Sequence, residues 1–398
     1  MEQHRKYGDL VQIAPDHVSI NLPEAVADIY GHKSGCLKSD FYDSFLQVMP
    51  VVFNVRDPMA HQRKRKFLNL AFSARALSEF EPSMDVELSC WRRQLIDISK
   101  SDAVTDFTVW ANYLAFDIIG RFAFGRSFGF IEKGMDPFNL ITTVDTRGEV
   151  LNALGTLPAY LRYWMKYMYF DPFWSAGLRA ASNLASLGRA AYFDRKDVSS
   201  PQKDLLSYLF AAKGNGDVGE QEIIAESISF IVGGSDTTSS TITHFIDFVS
   251  RDRALQEKLQ EELDSAFPGM QDLDWVPNYQ SLKDLPLLNA ALKEVMRTVV
   301  SVPTCGLMSN PKIFKDPSDF RPERWMGTNA NELAEHFLPF STGTRACIGR
   351  NFAWMEMLKA IAIVFKTFNV HRATDQPTVI REGFFVKAVE CACYVTLR

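Results

Sequence analysis

Cysteine is scarce in this sequence, with only six residues in a chain of 398. So few cysteines cannot form a disulfide scaffold, and none of them forms a C-x-x-C pair of the kind that binds zinc or cycles between redox states. We therefore expect a reducing compartment. The six are Cys36, Cys90, Cys305, Cys347, Cys391 and Cys393.

Long apolar runs and an excess of one charge are also missing. No apolar stretch approaches the roughly 18 to 20 residues that span a bilayer, so the chain as given is expected to be soluble and cytoplasmic. The 43 lysines and arginines stand against 48 aspartates and glutamates, which leaves a net charge of −5. This balance gives no support to nucleic-acid binding, and any basic site must be local.

Several common catalytic motifs are absent as well. The sequence contains no G-x-x-x-x-G-K-[ST] phosphate loop, no H-E-x-x-H zinc motif, and no G-x-G-x-x-G between a strand and a helix. Nucleotide-driven, zinc-hydrolytic and dinucleotide-dependent chemistry therefore lose their usual support.

Apolar residues at three- and four-residue steps occupy most of the chain and predict a mainly α fold with minor β, of the α+β class. No repeat or linker divides the chain, so a single domain over residues 1–398 is expected. The predicted helices are Ala76–Ser99, Val104–Phe124, Gly177–Phe193, Gln221–Arg251, Arg253–Phe267, Leu287–Val300 and Arg350–Phe368. The predicted strands are Leu10–Ile13, His17–Ile20, Phe384–Val386 and Cys391–Leu397.

The stretch FSTGTRACIG, residues 340–349, places Cys347 directly before an apolar helical segment. A helix N-terminus favours a thiolate and is expected to lower the pKa of the thiol. Gly343 and Gly349 allow the backbone to turn tightly against something flat and bulky, and Arg345 can meet an anionic group beside it. These features suit a haem iron held by a thiolate, whereas the ordinary alternative is a small buried cysteine.

The longest predicted helix carries two glycines near its centre, in the stretch GGSDTT from Gly233 to Thr238. Each glycine within a helix costs about 1 kcal/mol relative to alanine, so a compensating contact is expected. A bare backbone lets a cofactor or substrate pack closely, and the hydroxyl of Thr237 can open the helical hydrogen-bond ladder. The alternative is a packing kink or a break in the helix.

Two charged groups complete the set of candidates. Glu294 and Arg297 lie three residues apart on an apolar helix and share a face, although such a pair is often a weak surface ion pair. The basic run HQRKRK, residues 61–66, lies on an earlier predicted helix, and its ordinary interpretation is a solvated face.

These motifs together resemble the cytochrome P-450 family. Residues 340–349 match the pattern F-x-x-G-x-R-x-C-x-G at every defined position, and GGSDTT resembles the family's [AG]-G-x-[DE]-T-[TS] segment. Glu294 and Arg297 resemble the E-x-x-R pair, and FRPERW, residues 320–325, resembles the segment that supplies a second arginine. His61 and Arg65 have the spacing [WH]-x-x-x-R.

The resemblance implies the P-450 fold, a helical bundle around haem b with small peripheral sheets, and it makes Cys347 the iron ligand. Arg345, His61 and Arg65 are implied to contact the haem propionates. Phe340 is implied to pack near the sulfur, and Gly349 to complete the haem-binding loop. Proton delivery during oxygen activation is assigned by the resemblance to Asp236 and Thr237, and a structural triad to Glu294, Arg297 and Arg324.

The resemblance extends from KYGDLVQIAPDHVSI near the start to REGFFVKAVEC near the end, and these stretches are similar to fungal benzoate 4-monooxygenases. Such enzymes are anchored to the endoplasmic reticulum by an N-terminal helix that this sequence is expected to lack. Only 22 residues separate Arg297 from Phe320. Because the family has several tens more there, a segment is expected to be missing near residues 300–312, within SVPTCGLMSNPKIF.

The resemblance predicts a haem-thiolate monooxygenase that inserts one atom of dioxygen into a small aromatic or apolar substrate. Benzoate-like para-hydroxylation and hydroxylation in secondary metabolism are the candidate reactions. No flavin domain is present, so electrons are expected from a separate NADPH-cytochrome P-450 reductase. Its candidate docking patch is Arg63, Lys64, Lys66, Arg350 and Lys359.

Two alternatives remain open at this level. The missing segment favours a catalytically impaired or inactive haem-binding protein, and a reductase-independent haem-thiolate isomerase or dehydratase would keep the same cysteine. Asp236 and Thr237 count against the second, because that chemistry does not need them. The candidate pocket segments are Phe41–Phe53, Leu151–Tyr169, Ile228–Thr237 and Phe384–Val386, and the sequence singles out no arginine as the partner of a substrate carboxylate.

Overall fold

A computed structural model of the protein describes residues 2–46, 48–101, 103–165, 167–196, 203–269, 272–298, 304–384 and 386–398. Over these residues the chain is mainly helical with small antiparallel sheets, as predicted. The α-helices are α1 (Glu2–Tyr7), α2 (Ala25–Tyr30), α3 (Pro58–Ala71), α4 (Ala74–Ser99), α5 (Phe107–Phe124), α6 (Phe130–Lys133), α7 (Leu140–Thr156), α8 (Ala159–Met165), α9 (Pro172–Lys196), α10 (Leu205–Gly214), α11 (Glu220–Arg251), α12 (Arg253–Ala266), α13 (Tyr279–Leu282), α14 (Pro286–Thr298), α15 (Thr304–Met308), α16 (Ala330–Glu335) and α17 (Arg350–Thr367). Short 3-10 helices lie at Asp40–Phe45, Pro322–Trp325 and Gly343–Arg345.

The strands form three small antiparallel sheets in the described residues. They are β1 (Leu10–Ala14), β2 (His17–Ile20), β3 (Thr105–Asp106), β4 (Phe368–Arg372), β5 (Ile380–Glu382), β6 (Val386–Ala388) and β7 (Ala392–Leu397). Strands β1 and β2 form a hairpin in which Leu10 pairs with Ile20. Strand β7 lies between β3 and β4, and β5 pairs with β6.

Several predicted boundaries are wrong, and the helix predicted at Gly177–Phe193 extends from Pro172 to Lys196. The helix predicted from Val104 begins at Phe107, because Thr105 and Asp106 pair with β7 and the Asp106 side chain caps the helix by accepting a hydrogen bond from the Thr108 backbone N–H at 2.9 Å. The strand predicted at 384–386 begins at Val386, and residue 385 lies outside the described residues. Residues 299–303, at the end of one predicted helix and in the shortened segment, also lie outside them.

The core is built around α11. This 32-residue helix packs along α5 and also contacts α9 and α17. One continuous cluster of buried apolar residues runs from Val52 to Val395, and it supports the single-domain organisation, which stays a prediction. None of the described helices combines the length and the apolar composition needed to cross a bilayer.

The two central glycines of α11 have different surroundings, and the helix continues through both of them. A Cβ atom at Gly234 would lie 2.6 Å from Cδ1 of Ile119 on α5, so this glycine allows the two helices to approach closely. A Cβ atom at Gly233 would meet nothing within 4 Å, because that position faces open space. Close helix packing therefore explains Gly234 alone.

Replacing each glycine with alanine separates the two roles. Gly233→Ala should raise the free energy of unfolding by up to about 1 kcal/mol, because alanine favours helix without a clash. Gly234→Ala should be about 1–3 kcal/mol less stable than Gly233→Ala, because it overpacks against Ile119. Chemical denaturation of the two variants, purified in parallel, measures the difference. Equal stabilities would contradict the assigned packing role of Gly234.

Candidate functional site

A cavity of about 2880 Å³ lies beside the centre of α11. Pockets for single small ligands usually measure about 300–1,000 Å³, so this cavity has room for a large group and a small molecule together. Each of the four pocket segments predicted from the sequence contributes residues to its wall. These include Phe41, Phe45, Phe53, Gly155, Leu157, Ile228, Gly233, Thr237 and Phe384.

The loop that carries Cys347 forms part of the same wall. The Cys347 backbone N–H donates to the carbonyl oxygen of Phe340 at 2.8 Å, which closes the loop. Gly343 has φ +70°, and a Cβ atom there would lie 1.7 Å from the carbonyl oxygen of Tyr30, so only glycine fits. Gly349 precedes α17, and a Cβ atom on it would lie 4.0 Å from the Cys347 Sγ. The loop therefore places the Cys347 sulfur beside the backbone of Gly349, which carries no side chain.

The thiol of Cys347 faces the cavity from a deep position. Its side chain is exposed, yet protein surrounds it, so the exposed surface belongs to the cavity and not to the outside of the protein. Burial raises the pKa of the Cys347 thiol, while the backbone N–H groups of Gly349 and Arg350 and the charge of Arg65 act in the opposite direction. The predicted lowering of this pKa is wrong for the free thiol, because desolvation outweighs the helix N-terminus.

Three cationic side chains and one imidazole face the cavity near this loop: Lys38, Arg65 and Arg345, with His61. Arg345 donates to the carbonyl oxygen of Val55 at 2.7 Å, and Arg65 donates to that of Ala346 at 2.6 Å. Burial, followed by the charges of Arg345, Arg65 and Lys38, lowers the pKa of His61 to about 4. The structure thus brings the three predicted residues together and adds Lys38, which no sequence motif identifies.

The cationic cluster lacks anionic partners. Within the described ranges, none of the four side chains forms a salt bridge, and burial followed by the charge of Arg345 lowers the pKa of Lys38 to about 7. Cations held together without counter-charges favour an anionic ligand. A haem, which carries two carboxylates and an iron that binds thiolate, fits a wall made of these four side chains and Cys347.

Asp236 of α11 lies at the end of a chain of charged side chains. Its Oδ1 is 2.7 Å from Nζ of Lys387 on β6, and Lys387 also contacts Asp145 on α7. Arg381 then joins Asp145 at 2.7 Å to Glu149 at 3.0 Å. Burial raises the pKa of Asp236 to about 6, while Lys387 acts to lower it. The chain connects a buried carboxyl group to side chains that are half exposed.

Thr237 follows Asp236 and lines the cavity. Its hydroxyl donates to the carbonyl oxygen of Gly233 at 2.9 Å, one turn earlier in α11. The hydroxyl therefore stands on the cavity wall within a continuous helix, and the alternative of a helix break does not apply. Sequence spacing identified Asp236 and Thr237, whereas Lys387 lies about 150 residues away in the chain and gave no signal.

The predicted triad is assembled and buried. Arg297 donates to both carboxylate oxygens of Glu294, at 2.7 and 3.0 Å, and Arg324 donates to the same group at 3.1 Å. The indole N–H of Trp325 adds a fourth bond at 2.7 Å, which the sequence did not indicate. Arg297 also donates to the carbonyl oxygen of Met308 at 3.0 Å. Glu294 thus joins α14 to the segment at residues 320–325.

Part of the predicted docking patch is wrong. Lys359 is fully buried and bound to Glu81 and Asp85, each at 2.5 Å, and Lys64 is buried against two carboxylates of α11. The sequence alone did not indicate that these two lysines are buried and form ion pairs. The exposed members are Arg63, Lys66 and Arg350.

The side chain of Glu226 connects α11 with α3 and with the segment that contains Val52. Its Oε1 accepts a hydrogen bond from the Val52 backbone N–H at 2.9 Å and lies 3.2 Å from Nζ of Lys64 on α3. Burial raises the pKa of Glu226 to about 7, although Lys64 acts to lower it. This fully buried carboxyl group positions the helix that carries His61 and Arg65 against α11.

Comparison with known proteins gives a consistent result. The family model described as Cytochrome P450 matches residues 1–304 and 298–390. A benzoate 4-monooxygenase of Aspergillus niger is 35% identical over 443 aligned residues, which cover 96% of this chain and 84% of the relative. A cytochrome P450 monooxygenase of Eupenicillium brefeldianum is 29% identical over 419 aligned residues, which cover 96% of this chain and 80% of the relative. Both alignments are longer than this chain, so the relatives contain residues without a counterpart here.

The raised pKa of Glu226 predicts a pH dependence of stability. The folded protein keeps this carboxyl group protonated to a higher pH than the unfolded chain does, so its contribution to stability is lost as the pH rises from about 4.5 to about 7. Relative to Glu226→Gln, the wild type should lose about 1–3 kcal/mol of unfolding free energy across this range.

Denaturant titrations at several pH values measure this difference. Glu261→Gln, which changes an exposed residue of α12 that forms no salt bridge in the described part of the chain, is the control. An equal pH dependence for Glu226→Gln and Glu261→Gln would show that burial does not shift Glu226.

Proposed function

Because the chain belongs to the cytochrome P450 family of monooxygenases, we propose that it binds haem b through Cys347 and oxidises a small aromatic or apolar substrate. The observation that carries the proposal is one cavity wall that combines the Cys347 thiol and the His61 imidazole with three cations, Lys38, Arg65 and Arg345, that form no salt bridge in the described residues. The Cys347 thiolate would be the iron ligand, and Arg345, His61 and Arg65 would bind the propionates. Candidate reactions are benzoate-like para-hydroxylation and hydroxylation of a secondary metabolite.

A haem bound to a thiolate supplies dioxygen activation, because the ligand donates electron density that favours O–O cleavage. In the overall reaction one oxygen atom enters a C–H bond of the substrate, and the other leaves as water with two electrons and two protons. Phe340 and Gly349 would shape the loop around the sulfur, and Glu294, Arg297 and Arg324 would hold that side of the core.

Asp236 and Thr237 would supply the protons. Asp236 has a pKa of about 6 as a result of burial, so it can release and regain a proton near neutral pH. Lys387 and Asp145 connect it to half-exposed Arg381 and Glu149, which offers a route for reprotonation. The Thr237 hydroxyl stands beside it on the cavity wall, where it can pass the proton on.

We further propose that the electrons come from NADPH through a separate NADPH-cytochrome P-450 reductase. Arg63, Lys66 and Arg350 remain as exposed cations that an acidic partner can approach. The proposed location is the cytosolic face of the endoplasmic reticulum membrane. Its support is an exposed aromatic surface on and after α8, since tryptophan and tyrosine favour the membrane interface. This surface includes Tyr160, Trp164, Tyr169 and Phe170, which are 64–74% exposed.

A catalytically impaired haem-binding protein is the second candidate, and a specific observation favours it. The family match divides at residues 298–304, where the chain is short, and the relatives contain additional residues. The β1–β2 hairpin beside the cavity leaves Leu10, Ile13 and Val18 at least half exposed. These findings support the loss of a segment that would cover this side of the cavity.

The haem-thiolate assignment is tested by the carbon monoxide difference spectrum of the reduced protein. The wild type should show a Soret band at about 450 nm, and Cys347→Ala should lose it, because the band requires iron bound to the Cys347 thiolate. Cys90→Ala, at a half-buried thiol outside the cavity, should keep the band. A wild-type band at about 420 nm would support the impaired protein, and a band retained by Cys347→Ala would reject Cys347 as the ligand.

Thr237→Ala tests proton delivery and separates the monooxygenase from an isomerase or dehydratase. The variant should keep the 450 nm band but form several-fold less product per NADPH, with the missing electrons recovered as hydrogen peroxide. Thr241→Ala is the matched control, because its hydroxyl makes the same type of bond, to the Thr237 carbonyl oxygen at 2.9 Å, outside the cavity wall. Full coupling in Thr237→Ala would argue against the proton role.

A further inference from the structure

Arg147 of α7 is a buried guanidinium group on the wall of the cavity. The residue is 7% exposed, and its Nε has no hydrogen-bond partner in the structure as described. No salt bridge to Arg147 occurs among the described residues. Burial alone lowers the pKa of Arg147 to about 10, with no opposing carboxylate.

The acidic residues nearest to Arg147 in the helix are already paired. Asp145 is bound to Arg381 at 2.7 Å and also contacts Lys387, and Glu149 is bound to Arg381 at 3.0 Å. By contrast, buried Arg297 forms a two-fold bond with Glu294. The carboxylates of Asp145 and Glu149 therefore form ion pairs with other cations and not with Arg147.

A buried guanidinium without a counter-charge is costly, and a carboxylate that binds both arms of the planar fork removes that cost. The site therefore suits an anionic ligand better than a neutral one. Because Arg147 lies on α7 and the cationic cluster lies at the Cys347 loop and α3, two separate parts of one cavity are prepared for negative charge.

The same helix also reaches an aromatic part of the wall. Two turns after Arg147, Gly155 packs so closely on Phe41 that a Cβ atom would lie 2.5 Å from its ring. Phe45 and Phe384 adjoin it, with ring centroids 5.0 Å apart, and Phe53 packs edge-on against both rings. An aromatic ring of a ligand would find apolar and edge-on ring contacts there.

We propose that Arg147 binds the carboxylate of the substrate and that the substrate is a small aromatic carboxylic acid in its anionic form. This inference rests on the proposed function, because it names the class of molecule that the cavity presents for oxidation. Arg147 acts as a binding and orienting residue, since holding the carboxylate at α7 fixes which edge of the ring faces the rest of the cavity.

Isothermal titration calorimetry of the purified haem-loaded protein tests the assignment with benzoate and with benzamide, its uncharged counterpart. The wild type should bind benzoate at least about tenfold more tightly than benzamide. Arg147→Met should weaken benzoate binding by about 10- to 100-fold and leave benzamide unchanged, and Arg147→Lys should retain part of the preference. Arg179→Met, which removes an exposed arginine of α9, should behave as the wild type.

Thermal melting distinguishes a binding residue from a structural one. Without a ligand, Arg147→Met should melt at the same or a higher temperature than the wild type, because it removes an uncompensated buried charge. Benzoate should raise the melting temperature of the wild type and of Arg179→Met but not that of Arg147→Met. A lower melting temperature with equal weakening of both ligands would assign Arg147 a structural role and overturn the inference.

Carbon monoxide spectra of the same preparations separate this inference from the proposed function. Benzoate binding that depends on Arg147 in a protein without the 450 nm band would support the carboxylate site and reject the haem-thiolate assignment. A normal 450 nm band with equal benzoate affinity in the wild type and Arg147→Met would support the haem-thiolate assignment and reject the carboxylate site.

Discussion

Desolvation of charge around one large cavity is the constraint on which the rest of the structure depends. A helical core this size can bury ionisable groups only if each one finds a partner or changes its protonation. Glu294 satisfies this requirement with two arginines and an indole, and Glu226 with Lys64 and a raised pKa. Arg65, Arg147 and Arg345 form no salt bridge in the described residues and face the cavity, whereas Glu356 and His244 are buried away from it and change their pKa values instead. The unpaired cations of the cavity wall therefore support the proposed binding of an anionic ligand.

The long helix α11 connects these positions. Its first half carries Glu226, its centre carries the open position at Gly233, and Asp236 follows within one turn. A continuous helix fixes the relative positions of all three, whereas a loop would not. Each glycine lowers the intrinsic stability of the helix, and the two have different roles. Gly234 permits close packing on Ile119, and Gly233 leaves the cavity wall free of a side chain.

Sequence reasoning located the candidate groups whose geometry depends on local spacing, and their roles stay predictions. The Cys347 loop, the Glu294–Arg297 pair and the Asp236–Thr237 pair each lie within ten residues, so a turn or a helix determines their geometry. It failed for Lys38, Lys387 and Arg147, which acquire their surroundings from distant segments.

Two sequence-based expectations failed for a related reason. The pKa of the Cys347 thiol rises because the cavity excludes water, and Lys359 is lost from the basic patch because it is buried against α4. The burial of a side chain depends on the whole fold and not on the residues next to it in the sequence.

The shortened region after α14 has different consequences for the two sides of the cavity. Arg297 precedes residues 299–303, and its guanidinium donates to the Met308 carbonyl oxygen beyond them, so the triad holds both flanks of this segment to Glu294. The wall that contains Cys347 is therefore supported independently of the segment's length. On the other side, Ile13 and Val18 of the β1–β2 hairpin line the cavity and are at least half exposed. We therefore propose that loss of residues here affects enclosure of the substrate more than ligation of the iron, because Arg65 contacts Ala346 and Arg345 contacts Val55 from segments outside this region.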